Sequence, residues 1–270
     1  MSTDLFPFAD LALARRLERA EGHGNARAID ARARLFPDAG ACWIESAGAR
    51  AMFDGSESPL TQTFCLGMTQ PATGADLAAI EAFYAERAAP VFHEVSPLAD
   101  PSVVPLLTGR GYHPFEFTSV LYRPVERGKT APPGREIRVR LMAAGEEPLW
   151  ADTAAAGWAE FGFADFMRGI ALVHAHTEGH RLFFAELDGR PIATGALSIS
   201  DGVAHLAGAA TVPAGRKRGA QLALLDARLQ YAAAHGCDLA LMGALPGSGS
   251  QRNAERNGFR IAYTRIKWRR

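Results

Sequence analysis

The chain has 270 residues, 48% of them hydrophobic and 21% charged, with 29 Lys plus Arg set against 29 Asp plus Glu. That mixture is globular, long enough for one large domain or two of ordinary size, and it excludes a chain whose main theme is disorder. The balanced charge excludes a global field that would draw the protein onto nucleic acid or an anionic membrane, and no run of about eighteen apolar residues reads as a membrane span.

From the N-terminus, "MSTDLFPFADLALARRLERA" carries Asp4 where a secretory leader has cations, and Arg15-Arg16 break its apolar run. Cys42, Cys65 and Cys237 are odd in number and widely spaced in apolar surroundings, which reads as reduced, buried thiols without metal spacing. Both features lead to the expectation of a cytoplasmic protein. Next come a strand around "TFCLG", Pro71, a helix with Leu77, Ile80 and Tyr84 on one face, the strand "VFHEV", a short helix ending at Gly111 and a further strand. The stretch "YRPVERGKTAPPGREIRVR", Tyr122 to Arg140, is rich in Pro, Gly and mixed charge and reads as an interdomain linker centred on 126–135. It divides the chain into domains 1–125 and 136–270.

The second half reads as a strand "IRVRLM", two helices, "EEPLWADTAAAGWAE" and "ADFMRGIALVHA", and then an antiparallel meander. The meander strands run Arg181 to Leu187, Ile192 to Ser200 and Val203 to Thr211, joined at Asp188-Gly189 and Asp201-Gly202 as hairpin turns. After Pro213 the period changes: Leu222, Leu225 and Leu229 describe an amphipathic helix that stops near Gly236. A buried strand from Cys237, a short helix closed by Gly258 and a final strand "FRIAYTRIKW" complete the order β, α, α, β, β, β, α, β, α, β. Ser248 or Ser250 is expected to cap the short helix, and Gly247-x-Gly249 lacks the third glycine of a dinucleotide fingerprint.

The two halves end alike. The span from Val91 to Gly111 is one residue shorter than that from Cys237 to Gly258, whereas Pro71 to Val91 falls four short of Pro213 to Cys237. The deficit lies in the glycine-basic loop, so the chain reads as two copies of one domain of which only the second keeps "GRKRGA". A strand that feeds a glycine-containing turn and then a helix aims several backbone N–H groups and the positive end of the helix dipole into one volume, which suits phosphate. Arg216, Lys217 and Arg218 add charge there; no Gly-Lys-Ser/Thr follows, so the turn is not a P-loop, and the neighbouring sequence lacks the extra cations and aromatics of a nucleic-acid patch.

On these residues the segment "TVPAGRKRGAQLALL" resembles the pyrophosphate-binding segment of GNAT-superfamily N-acetyltransferases, Arg/Gln-x-x-Gly-x-Gly/Ala, with Arg216 and Gly219 in the first two places and Gln221 a departure in the last. "NAERNGFRIAYTRIKW" resembles that family's closing helix, Gly-Phe and strand. The resemblance covers about Ile137 to Arg270 and implies an α/β (α+β) chain of two tandem GNAT-like domains, each a mixed, mostly antiparallel sheet flanked by helices, the N-terminal copy degenerate. It further implies acetyl-CoA as acyl donor, with Arg216, Lys217, Arg218, Gly219, Ala220 and Gln221 around the pyrophosphate, and Ala209, Ala210 and Thr211 pairing with the pantetheine arm. An amine, on a small molecule or a peptide, would attack the thioester directly in a ternary complex, since Cys237 begins a buried strand and offers no convincing covalent nucleophile.

The family's usual glutamate and tyrosine positions hold Met242 and Ala254 here. The base expected instead is His205, six residues before Thr211, and Tyr263 is an acid by residue type. Trp158, Glu160 and Phe161, in the helix pair that borders the acceptor pocket in that fold, are the expected substrate contacts. "HAHTEGH" (His174, His176, His180) lacks metal-ligand spacing and is expected at the surface, so no metal is expected. Two other functions fit part of the pattern: a non-catalytic acyl-CoA sensor or scaffold, given the missing glutamate and tyrosine, and a nucleotide-dependent oxidoreductase.

Overall fold

The computed structural model describes residues 6–126 and 136–270. They form two compact units. One comprises residues up to Pro124 together with Leu241–Arg270, and the other is Val125–Ala240.

In the second unit, β6 (Ile137–Leu141) leads to α4 (Glu147–Ala156), a 3-10 turn at Ala159–Phe161 and α5 (Ala164–Ala175). Then β7 (His180–Leu187), β8 (Arg190–Ser200) and β9 (Val203–Thr211) complete an antiparallel sheet in the order β9-β8-β7-β6. The meander is as the sequence implies. Asp188, Gly189, Asp201 and Gly202 all carry positive φ, which is what two-residue turns need to match the right-handed strand twist. Trp150, Ala151 and Ala154 of α4, with Ala171 of α5, pack on Leu182, Phe184, Ala196 and Ala210 of the sheet.

The helix α6 (Ala220–Ala234) follows a 3-10 turn at Pro213–Gly215, and its buried stripe differs from the expected one. Leu224, Leu225, Arg228 and Ala232 are buried, while Leu222 is 48% exposed. The stripe is rotated because Arg228 can be buried: its guanidinium donates to the carbonyls of Leu224, Ala196 and Ala207, which satisfies donors that would otherwise forbid the position.

In the first unit, α1 (Leu11–Leu35) starts at Asp10, whose carboxylate accepts the Leu13 amide. The strands β1 (Cys42–Ser46), β2 (Ala49–Phe53), β3 (Gln62–Phe64), β4 (Phe92–Val95) and β5 (His113–Pro124) are joined by α2 (Gly74–Ala85), with its Thr73/Asp76 capping box, and by α3 (Val103–Gly109). The chain returns from β10 (Leu239–Ala244) through α7 (Gly249–Arg256), capped by Ser248, to β11 (Arg260–Arg269). The strand order of this unit is β1-β2-β3-β4-β11-β5-β10.

Residues 241–270, which the sequence groups with 136–240, cluster with the first unit. The last strand, β11, runs antiparallel to β5 along its length and to β4 over Ile266–Arg269, and a strand paired on both sides carries its segment with it. Arg265 on β11 is fully buried and bonds Glu18 (2.6 Å) and Glu21 (2.7 Å) of α1, with Glu94 of β4 at 3.4 Å. Desolvation pushes the Glu18 carboxyl above its ordinary range even beside this arginine. Of the linker expected at 126–135, only residue 126 lies within the described residues.

Candidate functional site

The site is built on β9. Between Ala196↔Ala207 and Thr194↔Ala210 the register slips, so β9 holds one residue more than β8 does. The extra residue falls at Gly208, with φ +60°, where a Cβ would lie 3.0 Å from the Ala196 Cβ and 3.3 Å from the Trp150 ring. Arg228 covers the ladder on one side of the bulge, with Nη1 3.2 Å from the Ala196 carbonyl and 3.3 Å from that of Ala207.

Past the bulge, the Gln221 amide donates back to the Ala210 carbonyl at 3.0 Å and to the Thr211 hydroxyl at 2.8 Å. The side chain that departs from the family pattern thus ties the start of α6 to the end of β9. The turn between them alternates in hand: Arg216 is extended, Lys217 has φ +62° and Gly219 has φ +83°. The Arg216 amide bonds the Pro213 carbonyl. No side chain caps α6 at Gly219, and the Ala223 amide is the first to bond within the helix, to the Gly219 carbonyl. The N–H groups of Ala220, Gln221 and Leu222 point out of the helix end as donors for an anion, in the field of the helix dipole.

Beside the strand end is a pocket of about 190 Å³, lined by Trp150 and Trp158, Met167 and Ile170, His174, and Gly208 to Ala210. The elements that build it are α4, α5 and β9, and its walls are apolar apart from one imidazole. His174 was expected at the surface, and the structure corrects this: burial pushes its pKa down to about 4, with neighbouring His205 adding to the shift, and its Nδ1 is buried with no hydrogen-bond partner. The helical period explains the difference, since Ala171 and His174 stand three apart on one face of α5 and line the same pocket. His180 packs its ring against that of His174, with centroids 5.2 Å apart, and His176 is exposed. Among the described residues no group of His, Cys, Asp and Glu has the arrangement of a metal site.

Trp158 lines the pocket. Glu160 instead pairs with Arg216, which also reaches the Gly157 carbonyl, so a predicted substrate contact and a predicted phosphate ligand hold each other. The Phe161 side chain lies outside the described residues. Lys217 and Arg218 are exposed on the turn, Ala209 is exposed and Ala210 is buried. His205 is half-buried on β9, opposite Ser198. Tyr263 belongs to the other unit, where its hydroxyl donates to Glu18 at 2.8 Å. Its proton is held there by a carboxylate, and burial raises its pKa. Burial pushes the Cys237 thiol up to about 11, as suits a core cysteine. Cys42 is half-buried beside Arg87 rather than buried, being on the first strand of its sheet.

The sequence model of the acetyltransferase (GNAT) family matches residues 146–259. The chain carries a GNAT acetyltransferase domain. The domain makes it an acyltransferase by class, which sets aside the oxidoreductase alternative. A GCN5-related N-acetyltransferase from Kribbella flavida is similar in fold, at TM-score 0.66 and 18% identity, over 95% of each chain. A tandem GNAT protein of the clavulanic acid biosynthesis pathway aligns at TM-score 0.61 and 12% identity, over 98% of this chain and 96% of its own. A GCN5-related N-acetyltransferase from Sphaerobacter thermophilus gives 0.55 and 17%, over 77% of this chain and 71% of its own. No curated protein matches the chain. The architecture is a tandem GNAT fold, mixed α/β with a mostly antiparallel sheet flanked by helices, and among the described residues no helix is long and apolar enough to cross a membrane.

Proposed function

We propose that the protein is an N-acetyltransferase that moves an acetyl group from acetyl-CoA to a primary amine by direct attack in a ternary complex. The observation that carries this reading is the juxtaposition on one strand end of an uncapped helix N-terminus, Ala220 to Leu222, and an apolar pocket, Gly208 to Ala210. The first is suited to a diphosphate and the second to the acceptor.

Acetyl-CoA fits the residues present. When bound it supplies an activated thioester. The amides of the 216–222 turn would hold its diphosphate, with Lys217 and Arg218 adding positive charge at the exposed rim. Ala209, exposed at the end of β9 next to the bulge, would offer a main-chain N–H to a developing oxyanion. His205, near enough to the pocket's His174 to act on its pKa, is the candidate base. Arg216 contributes by fastening the turn to Glu160 and the end of α4 rather than by a free charge. We infer too that the two halves of the chain, 1–125 and 136–270, are copies of one domain joined at 126–135, the second keeping the basic turn. The setting we infer is the cytoplasm.

The test is calorimetric. Replacing Arg216 and Arg218 with Ala should lower acetyl-CoA affinity about tenfold or more, while stability changes by less than about 1 kcal/mol, since exposed ion pairs contribute little. Unchanged affinity would defeat the assignment. Met242 and Ala254 at the family's acid positions favour one rival, a non-catalytic acyl-CoA sensor, and thiol release with any amine removes it.

A further inference from the structure

A second cavity, of about 210 Å³, lies wholly within the first unit, between α1, the β1–β2 hairpin and the chain that follows β3. The family match begins at residue 146, so the acyl-transfer reading gives this cavity no part. Its lining is unlike that of the apolar pocket beside β9. Arg15, Arg19 and His23 stand four residues apart on α1, which puts them on one face of the helix, and Arg50 of β2 joins them from the sheet. Gly22 makes that meeting close: a Cβ there would lie 3.2 Å from the Cys65 Sγ and 3.8 Å from Arg50 Nη1, so the bare helix face brings the guanidinium against α1.

The charges that line the cavity do not cancel. Glu18 is 1% exposed and its carboxylate accepts from Arg265 and Tyr263, so it does not serve the cavity. Glu45 pairs with Arg50, its cross-strand partner, at 3.3 Å, and at 52% exposed it loses little by turning to water. Arg15 is fixed by its Nε, which donates to the Met68 carbonyl at 2.6 Å, and no carboxylate among the described residues pairs with it. Arg15 and Arg19, both exposed, are like charges one helical turn apart, an arrangement that destabilises a helix standing alone. Three guanidiniums against one accessible carboxylate leave two positive charges, which a compact dianion would neutralise.

We propose that this cavity binds a small phosphate monoester, its phosphate held by Arg15, Arg19 and Arg50. A guanidinium presents its N–H groups as a planar fork that matches phosphate oxygens. A tetrahedral dianion with three terminal oxygens can accept from three arginines at once, whereas a lone carboxylate, with two oxygens and one charge, leaves an arginine over. The volume sets the rest of the ligand: a cavity of about 150 Å³ takes the carbons of benzene, so about 210 Å³ holds about eight to ten heavy atoms, the size of a phosphorylated three-carbon compound.

The experiment is titration calorimetry of the full chain at low salt with glycerol phosphate, and with succinate and acetate as comparison anions. Glycerol phosphate should bind with a Kd of about 1 mM or tighter and raise Tm. The double variant Arg15→Gln/Arg19→Gln should bind it about tenfold more weakly or worse, while its melt without ligand stays within about 2 °C of the parent, both side chains being exposed. The anion turn of the second unit is a separate place, so Arg216→Ala/Arg218→Ala should bind glycerol phosphate as the parent does. Three results would overturn the inference: no saturable binding up to about 10 mM, binding that survives in the Arg15/Arg19 variant and disappears in the turn variant, or succinate bound as tightly as glycerol phosphate. None of these outcomes involves acyl transfer, so the proposed function can fail without touching this site, and the site can fail without touching that function.

Discussion

Two glycines in the same unit share a left-handed backbone but differ in surroundings, and replacing each with Ala separates strain from packing. At Gly219, φ +83°, an added Cβ meets nothing within 4 Å. An L-residue there costs about 1–2 kcal/mol, and the stiffer unfolded chain offsets about 0.4–1 of it, leaving a net loss of about 1 kcal/mol. At Gly208, φ +60°, the same Cβ lies 3.0 Å from the Ala196 Cβ and 3.3 Å from the Trp150 ring, and both of those residues are 1% exposed and cannot move aside. Overpacking adds about 1–3 kcal/mol, for a total of about 2–4. At about 2–4 °C per kcal/mol, Gly219→Ala should lower Tm by about 3 °C and Gly208→Ala by about 5–15 °C in a thermal melt followed by circular dichroism. Acetyl-CoA affinity should be hurt more by Gly219→Ala for each degree of Tm lost, because it distorts the turn that presents the amides. Equal Tm losses would refute the packing argument at the bulge.

Acid should destabilise the first unit through His93, which is buried with neither ring nitrogen partnered and has its pKa pushed down to about 3 by burial. A folded pKa below the unfolded value near 6.5 makes its contribution complete above about pH 6.5, then lost at about 1.4 kcal/mol per pH unit as pH falls toward 3. His93→Leu should flatten the pH dependence of the unfolding free energy from urea titrations between pH 6 and 4 by that amount, and an unchanged slope would contradict the burial. Arg228→Met should lose about 2–4 kcal/mol by stranding the Ala196 and Ala207 carbonyls, measured by urea unfolding; a variant as stable as the parent would show that those carbonyls find other donors.

What could be read from residues alone was local. The meander was legible because Asp-Gly pairs fix hairpin turns by their own φ preferences, and the basic turn was legible because glycine and charge stand between two clear periodicities. Less was visible where burial depends on partners distant in sequence. The 25-residue helix α1 was missed as an element: Gly22 and Gly24 lower its intrinsic propensity, and its buried Glu18 is bonded by Arg265 and Tyr263, far along the chain. The place of β11 escaped for the same reason, since a strand's own pattern says which face is apolar but not which strands will pair with its edges. His174 was misjudged because "HAH" near a turn looks polar, whereas the period of α5 puts one of its two histidines on the pocket face.

Helix α6 decides how the two parts of the site relate. It reaches β9 on both sides of the bulge, through Arg228 to the Ala207 carbonyl before it and through Gln221 to the Ala210 carbonyl and Thr211 hydroxyl after it. The first turn of that helix also presents the uncapped amides. The bulge alone would leave the strand end free to shift, because its extra residue removes regular ladder bonds just where Gly208 to Ala210 line the pocket. With both flanks bonded to one rigid helix, any movement of the amides must drag the pocket floor with it. The separation between anion turn and acceptor pocket is thereby set by the length of α6 between residues 221 and 228, two turns of hydrogen-bonded backbone, and not by the loop that joins helix to strand. A long polar side chain at 221, the departure from the family pattern, has a structural reason on this account: the smaller residue expected there could not reach the strand.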